Sequence, residues 1–98
     1  MRIEFHPEAR AELDSSAAWY ADRSAVAVRG FLVAVDVSIR SVAANPGRFA
    51  KLDDRHRRCA VPRFPFQIVF RADEAKVVIV AIAHARRRPG YWQDRSMD

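Results

Sequence analysis

The chain has 98 residues, half of them hydrophobic, with 17 Lys and Arg against 12 Asp and Glu for a formal charge of +5. This length supports one domain with one modest core, the apolar fraction excludes a disordered chain, and a single cysteine, Cys59, excludes an internal disulfide and a cysteine-based metal framework. No stretch reaches the roughly 20 apolar residues of a membrane span and the N-terminus lacks a signal-peptide core, so the expected location is the cytoplasm, with no membrane partner.

Arg2-Ile3-Glu4-Phe5 alternates polar and apolar residues, the pattern of a short half-buried strand. Pro7 then fits the first turn of a helix, where its missing N–H costs nothing. Glu8, Glu12 and Asp14 complement the positive end of that helix. Ala9, Leu13, Ala17 and Tyr20 recur at helical spacing, so the helix is predicted to run to about Ala21, with Trp19 flanking its stripe. Asp22-Arg23-Ser24 reads as a turn, and Ser24 as the N-cap of a second helix.

Val28, Phe31, Leu32, Val35, Ile39 and Val42 form the buried stripe of that second helix, which Asn45-Pro46-Gly47 ends. So short a turn between the two predicts an antiparallel helical hairpin. Residues 48–56 are polar and read as a surface loop, with Asp53-Asp54 solvated. Three strands follow, at about 57–62, 66–71 and 76–83, joined by Pro62-Arg63-Phe64-Pro65 and by the polar hairpin loop Ala72-Asp73-Glu74-Ala75. The expected fold is α+β: an N-terminal strand, an antiparallel helical hairpin, a three-stranded antiparallel sheet and a short C-terminal turn or helix.

The last predicted strand carries the strongest signal. Val77 to Ala83 is an unbroken apolar run, too short for an ordinary helix, and reads as a strand covered on both faces. It empties into His84-Ala85-Arg86-Arg87-Arg88-Pro89-Gly90-Tyr91-Trp92. Residues 1–47 hold five arginines and six carboxylates, a charge of −1, whereas residues 48–98 hold twelve cations and six carboxylates, a charge of +6. Fifteen of the seventeen cations are arginine, whose planar fork matches phosphate or carboxylate. An anionic partner is the natural inference.

Period-two geometry assigns faces. On the middle strand Ile68 and Phe70 point one way, toward the helical hairpin, and Gln67, Val69 and Arg71 the other. Arg71, one of Arg57 or Arg58, and the His84 to Arg88 exit are expected to gather around the opposite, more open side. His6 and His56 show no partner at metal-ligand spacing, so no metal and no cofactor are expected.

The order strand, two helices, three strands, with Arg63-Phe64-Pro65-Phe66-Gln67-Ile68-Val69-Phe70, the Val80 to Trp92 ending, the opening Ile3-Glu4-Phe5-His6-Pro7-Glu8-Ala9 and Asn45-Pro46, resembles the RelE/ParE superfamily of bacterial type II toxins. The resemblance covers essentially the whole chain. At one position the pattern departs, since His6 stands where the family commonly has a serine helix cap. The resemblance implies a growth-inhibiting toxin bound by a cognate antitoxin in a hetero-oligomer. Two activities are implied: poisoning of DNA gyrase, as in ParE, or ribosome-dependent mRNA cleavage, as in RelE. A basic binding module without toxicity is the third reading.

Metal-independent RNA cleavage needs a base for the 2′-OH, charge stabilisation and an acid for the leaving oxygen. His84, Arg86 and Tyr91 are the catalytic candidates in that case alone, and Arg58, Arg71, Arg86, Arg87 and Arg88 are the anion- or target-binding candidates. The match to the nuclease pattern is incomplete, because lysine there is limited to Lys51. Gyrase poisoning needs only a surface, and the extended helical hairpin, the Phe64-Pro65-Phe66 strand and the His84-x-Arg86-Arg87-x-Pro89 ending look closer to ParE-like and unassigned members of the superfamily. Each candidate has a plainer role beside it: His84 bonding its neighbouring backbone, Tyr91 and Trp92 packing the C-terminal turn, Arg87 or Arg88 in a surface ion pair.

Overall fold

The computed structural model describes residues 1–96. In chain order the elements are β1 (Arg2–Phe5), α1 (Pro7–Ala21), α2 (Ala25–Ala44), a 3₁₀ turn (Pro46–Arg48), β2 (Arg57–Ala60), β3 (Phe66–Ala72) and β4 (Lys76–His84). The strands form one four-stranded sheet in the order β1-β4-β3-β2. β2, β3 and β4 are antiparallel neighbours. β1 is no separate strand but joins the sheet parallel to β4, Arg2 pairing with Lys76 and Phe5 with Ile79. The expected three-stranded antiparallel sheet is thus four-stranded and mixed. The physical reason is that β4, the most apolar strand, must be flanked on both edges, and β1 supplies the second edge.

Local chemistry sets the helix ends. His6 takes the place of the usual serine, its Nδ1 accepting from the Glu8 N–H at 3.1 Å. Ser24 caps α2 through its hydroxyl, which accepts from the Ala27 N–H at 3.1 Å. Ala9 is fully buried, with Leu13, Ala17 and Tyr20 packed beside it, as the spacing predicts. On α2 the buried positions are Phe31, Ala34, Val35, Ser38 and Val42. Leu32 lies off this stripe, 43% exposed. Ser38 enters the core because its hydroxyl donates to the Ala34 carbonyl at 2.8 Å.

Gly30 sits mid-helix, where a Cβ would meet the Phe64 Cζ at 3.6 Å, an ordinary contact. Gly30→Ala is therefore expected to raise stability by about 1 kcal/mol, read as a higher midpoint in urea unfolding with an unchanged slope.

Seven consecutive residues of β4, Val77 to Ala83, are buried. A bulge explains how they divide between faces. Val69 pairs with Ala81 but Phe70 with Ile79, leaving Val80 as the extra residue. Val77, Ile79 and Ile82 therefore face the helices together with Ile68 and Phe70. Val78, Val80, Ala81 and Ala83 face the other side with Val69, where Trp92 covers them. The second face is closed by the chain's own C-terminal turns and is less open than the alternation on β3 suggests.

Candidate target-binding surface

β4 ends at His84, where the chain turns sharply. The Ala85 N–H donates to the Pro65 carbonyl at 2.8 Å and the Arg87 N–H to the His84 carbonyl at 3.0 Å. His84 Nδ1 accepts from the Arg86 N–H at 3.0 Å, and its ring sits edge-on to Phe66 at 5.0 Å. Nδ1 being the acceptor, the neutral ring carries its proton on Nε2. This turn sends the three arginines in different directions.

Arg86 lines a cavity of about 410 Å³ with Ser15, Ser16, Trp19, Tyr20, Phe66 and His84. Among the described residues no carboxylate lines this cavity. Arg87 turns back on the molecule, its guanidinium 3.9 Å from the Tyr91 ring centroid and 4.0 Å from Glu12 Oε2. Arg88 is exposed and lines a shallow cavity with Arg87, Tyr91 and Asp94.

Beneath Arg87 lies a network absent from the sequence expectations. The Tyr91 hydroxyl donates to Glu12 Oε2 at 2.7 Å. Arg95 grips both Glu12 oxygens, at 3.0 and 2.9 Å, and also donates to the Val80 carbonyl at 2.9 Å. The Ile82 N–H completes it, donating to Glu12 Oε1 at 3.0 Å. Beyond Ile79, β4 has no β1 partner, so Glu12 and Arg95 stand in for the missing strand and satisfy the backbone around the bulge.

Desolvation by itself would raise the Glu12 carboxyl, but donation from Arg95, Tyr91 and Ile82 outweighs it and holds the group below its ordinary 4.5. Burial, then the Glu12 carboxylate, pushes the Tyr91 phenol well above its ordinary value. Glu12 in turn raises Arg95. Tyr91 is thus held neutral with its proton committed, which removes it as a ready base.

Across the sheet, Arg71 donates to the Arg95 carbonyl at 3.0 Å. Arg58 is exposed on β2, opposite Val69, two strand spacings or about 10 Å from β4. His84 and Arg86 thus share one cavity, and Arg87, Arg88 and Tyr91 another. Arg58 and Arg71 lie over the sheet and line neither cavity, so the expected gathering of all these cations is only partial. Among the described residues no group of three or more His, Cys, Asp and Glu could hold a metal ion.

Glu12 and Arg95 are the residues that sequence reasoning missed. Glu8 and Glu12 at i, i+4 share one face of α1, and Arg95 is the one cation after the Arg86 to Arg88 run, but a 83-residue separation hides the pairing. A second pairing was also hidden. His56 is buried beside Asp53, its Nδ1 2.9 Å from Asp53 Oδ1, with its ring 4.6 Å from that of Trp92. Desolvation would raise Asp53, yet the Arg55 and His56 donors hold it below its ordinary 3.8.

Both carboxyls are depressed on folding, so their contribution is present above the ordinary carboxylate range and disappears as pH falls through it toward the folded values. The melting temperature is expected to be flat from about pH 8 to 5.5 and to fall below about pH 4.5, and Glu12→Gln should make that acid limb shallower.

The sequence profile of the ParE toxins of type II toxin-antitoxin systems, parDE, matches residues 3–89. The chain belongs to this ParE toxin family. It is accordingly a toxin of the type II toxin-antitoxin class. Among solved structures, a chain of the chromosomal ParDE toxin-antitoxin system from P. aeruginosa is similar, with a TM-score of 0.63 at 23% identity over 88% of this chain and 97% of that one. At that identity the likeness concerns the fold. No curated protein sequence matches. For a ParE-family toxin the structure places the basic exit at the end of the most deeply buried strand, on backbone that the bulge, Glu12 and Arg95 hold rigid.

Proposed function

We propose that this ParE-family toxin inhibits DNA gyrase by binding, without catalysing a reaction, and that a cognate antitoxin neutralises it in a hetero-oligomer. One observation carries the non-catalytic part. Tyr91 is locked to Glu12, and Arg87 and Arg95 are drawn to the same carboxylate, so Tyr91 and Glu12 are spent on structure and neither is ready for acid–base work. Arg86 and Arg88 remain directed outward as the contacts to the target. Arg58 and Arg71 extend the basic surface across the sheet. Among the described residues no helix is long and apolar enough to cross a membrane, and a gyrase-binding role places the protein in the cytoplasm.

A second reading keeps one specific support. His84 and Arg86 line the same cavity, so an imidazole with its Nε2–H uncommitted stands beside a guanidinium, two of the three roles that RNA cleavage needs. Induced expression in bacteria distinguishes the two. The proposed function gives growth arrest relieved by the antitoxin, induction of a DNA-damage reporter and intact transcripts. In that case His84→Ala keeps full toxicity while Arg86→Ala lowers it by about 10-fold, the scale of one lost charge-assisted contact. Cut transcripts, with toxicity abolished by His84→Ala, support ribosome-dependent mRNA cleavage and reject gyrase inhibition. Growth without arrest supports the non-toxic binding module.

A further inference from the structure

Two cavities of about 410 Å³ each meet where β4 leaves the sheet, sharing Ser15, Ser16, Phe66 and His84. The first has aromatic walls, with Trp19 and Tyr20 beside Phe66 and His84, and it holds Arg86, whose guanidinium has no partner among the described residues. The second runs along the edge of β4 past Ile82. Trp19 is 52% exposed and belongs to neither core cluster. Its ring is fixed all the same: the Arg23 guanidinium lies 3.5 Å from its centroid and donates to the Trp19 carbonyl at 2.8 Å, and Tyr20 meets it edge-on at 5.0 Å. Core packing therefore does not account for an indole at this place.

The strand edge adds a hydrogen-bonding pattern. Along an antiparallel strand, residues alternate between bonding the partner strand and facing away from it. The Ala85 N–H donates to the Pro65 carbonyl, so Ala83 and Ala81 bond β3 with it, and Ile82 and His84 face the outer edge. β1 ends opposite Ile79 and does not reach them. On that edge Arg95 donates to the Val80 carbonyl, and the Ile82 N–H donates to Glu12. The Ile82 carbonyl and the His84 N–H come next, one acceptor beside one donor. Neither has a partner among the described residues, and both belong to residues that line the second cavity.

We propose that the joined cavities bind a nucleotide, its base on this edge among the aromatic walls and its phosphate on Arg86. Every nucleobase carries a hydrogen-bond donor next to an acceptor on its Watson–Crick edge, the complement of a carbonyl and an N–H two residues apart on a strand. Aromatic rings supply faces on which any base stacks, and a guanidinium fork fits phosphate. The charges agree. Among the described residues the first cavity has no carboxylate, while Glu8 and Glu12 in the second are both paired with Arg95, so the phosphate belongs at the Arg86 end. An aromatic side chain would leave the two edge groups unmatched, and an extended peptide strand would need neither the indole nor the guanidinium. The proposal concerns binding and no chemical step, and it is read on the toxin alone, so it is independent of the gyrase assignment.

Equilibrium dialysis of the purified full-length chain against deoxyadenosine monophosphate, at about 0.15 M salt, tests it. A dissociation constant below about 1 mM is expected, with deoxyadenosine and inorganic phosphate each about 10-fold weaker or more. Trp19→Ala, an exposed substitution, is expected to weaken binding about 10-fold, the scale of one stacked base. Arg86→Ala should bring the mononucleotide down to the level of deoxyadenosine. In amide NMR spectra the His84 N–H should shift on titration and gain protection from hydrogen exchange. A single-stranded DNA hexamer that binds about 10-fold tighter than the mononucleotide assigns the site to a nucleic-acid strand, and equal affinity assigns it to free nucleotides. No saturable binding up to about 10 mM, a loss in Arg40→Ala on α2 equal to that in Arg86→Ala, or binding that leaves the His84 amide unmoved overturns the proposal. So does a His84 amide protected by antitoxin while the nucleotide has no effect, since the edge then takes a peptide strand.

Discussion

Replacing Glu12 with alanine is expected to destabilise the protein by about 3 kcal/mol, the scale for removing one member of a buried ion pair. For a domain of this size that corresponds to a loss of roughly 15 °C in melting temperature. The Glu12 and Arg95 side chains are 14% and 9% exposed, so solvent cannot replace what is lost. Alanine leaves the Arg95 guanidinium with only the exposed Glu8 carboxylate at 3.8 Å, the Tyr91 hydroxyl without its acceptor and the Ile82 N–H unsatisfied. Glu12→Gln, which keeps one acceptor oxygen, should fall between the two. Combining Glu12→Ala with Arg95→Ala should cost clearly less than the two single losses added, because each already breaks the shared contact. A Glu12→Ala protein melting with the parent would mean that the C-terminal turns are held by something else.

Trp92→Ala is expected to cost as much again, about 3 to 4 kcal/mol, by the cavity and transfer terms of a large-to-small core change. Trp92 is 4% exposed and packs on Val69, Val78, Val80, Ala81 and Ala83. Its removal uncovers an apolar sheet face as well as opening a void, so the variant should bind a hydrophobic dye and lose solubility along with its melting temperature. The His56 ring loses its aromatic neighbour too, and His56 Nε2 is already buried with no hydrogen-bond partner among the described residues. Trp92→Phe should recover part of the loss. Equal melting of Trp92→Ala and the parent would show that the second sheet face does not need its cover.

These two residues also mark where the sequence was legible and where it was not. Hydrophobic periodicity located both helices, because a buried stripe repeats locally: Ala9, Leu13, Ala17 and Tyr20 pack together as their spacing predicts. Ser24 was readable as a cap for the same reason, since its bond to the Ala27 N–H spans only three residues. The bulge at Val80 was not readable. A run in which every residue is apolar gives no alternation to interrupt, so the division of Val77 to Ala83 between two faces depends on pairing with β3. Joining β1 to β4 and Glu12 to Arg95 are contacts across most of the chain, and single-sequence patterns carry no information about such pairings. The basic exit was visible as a run of arginines. Its division into outward Arg86 and Arg88 and inward Arg87 follows from a turn fixed by His84 Nδ1, which composition does not specify.

As proposed, this ParE-family toxin acts by binding gyrase at its cationic exit and performs no chemistry of its own. DNA supercoiling by purified gyrase, titrated with the purified toxin, tests it directly. The predicted result is loss of supercoiling with accumulation of cleaved, enzyme-bound DNA, unchanged in His84→Ala and restored to normal on adding antitoxin. Gyrase unaffected at any toxin concentration, while the same preparation cuts messenger RNA on ribosomes, would contradict it.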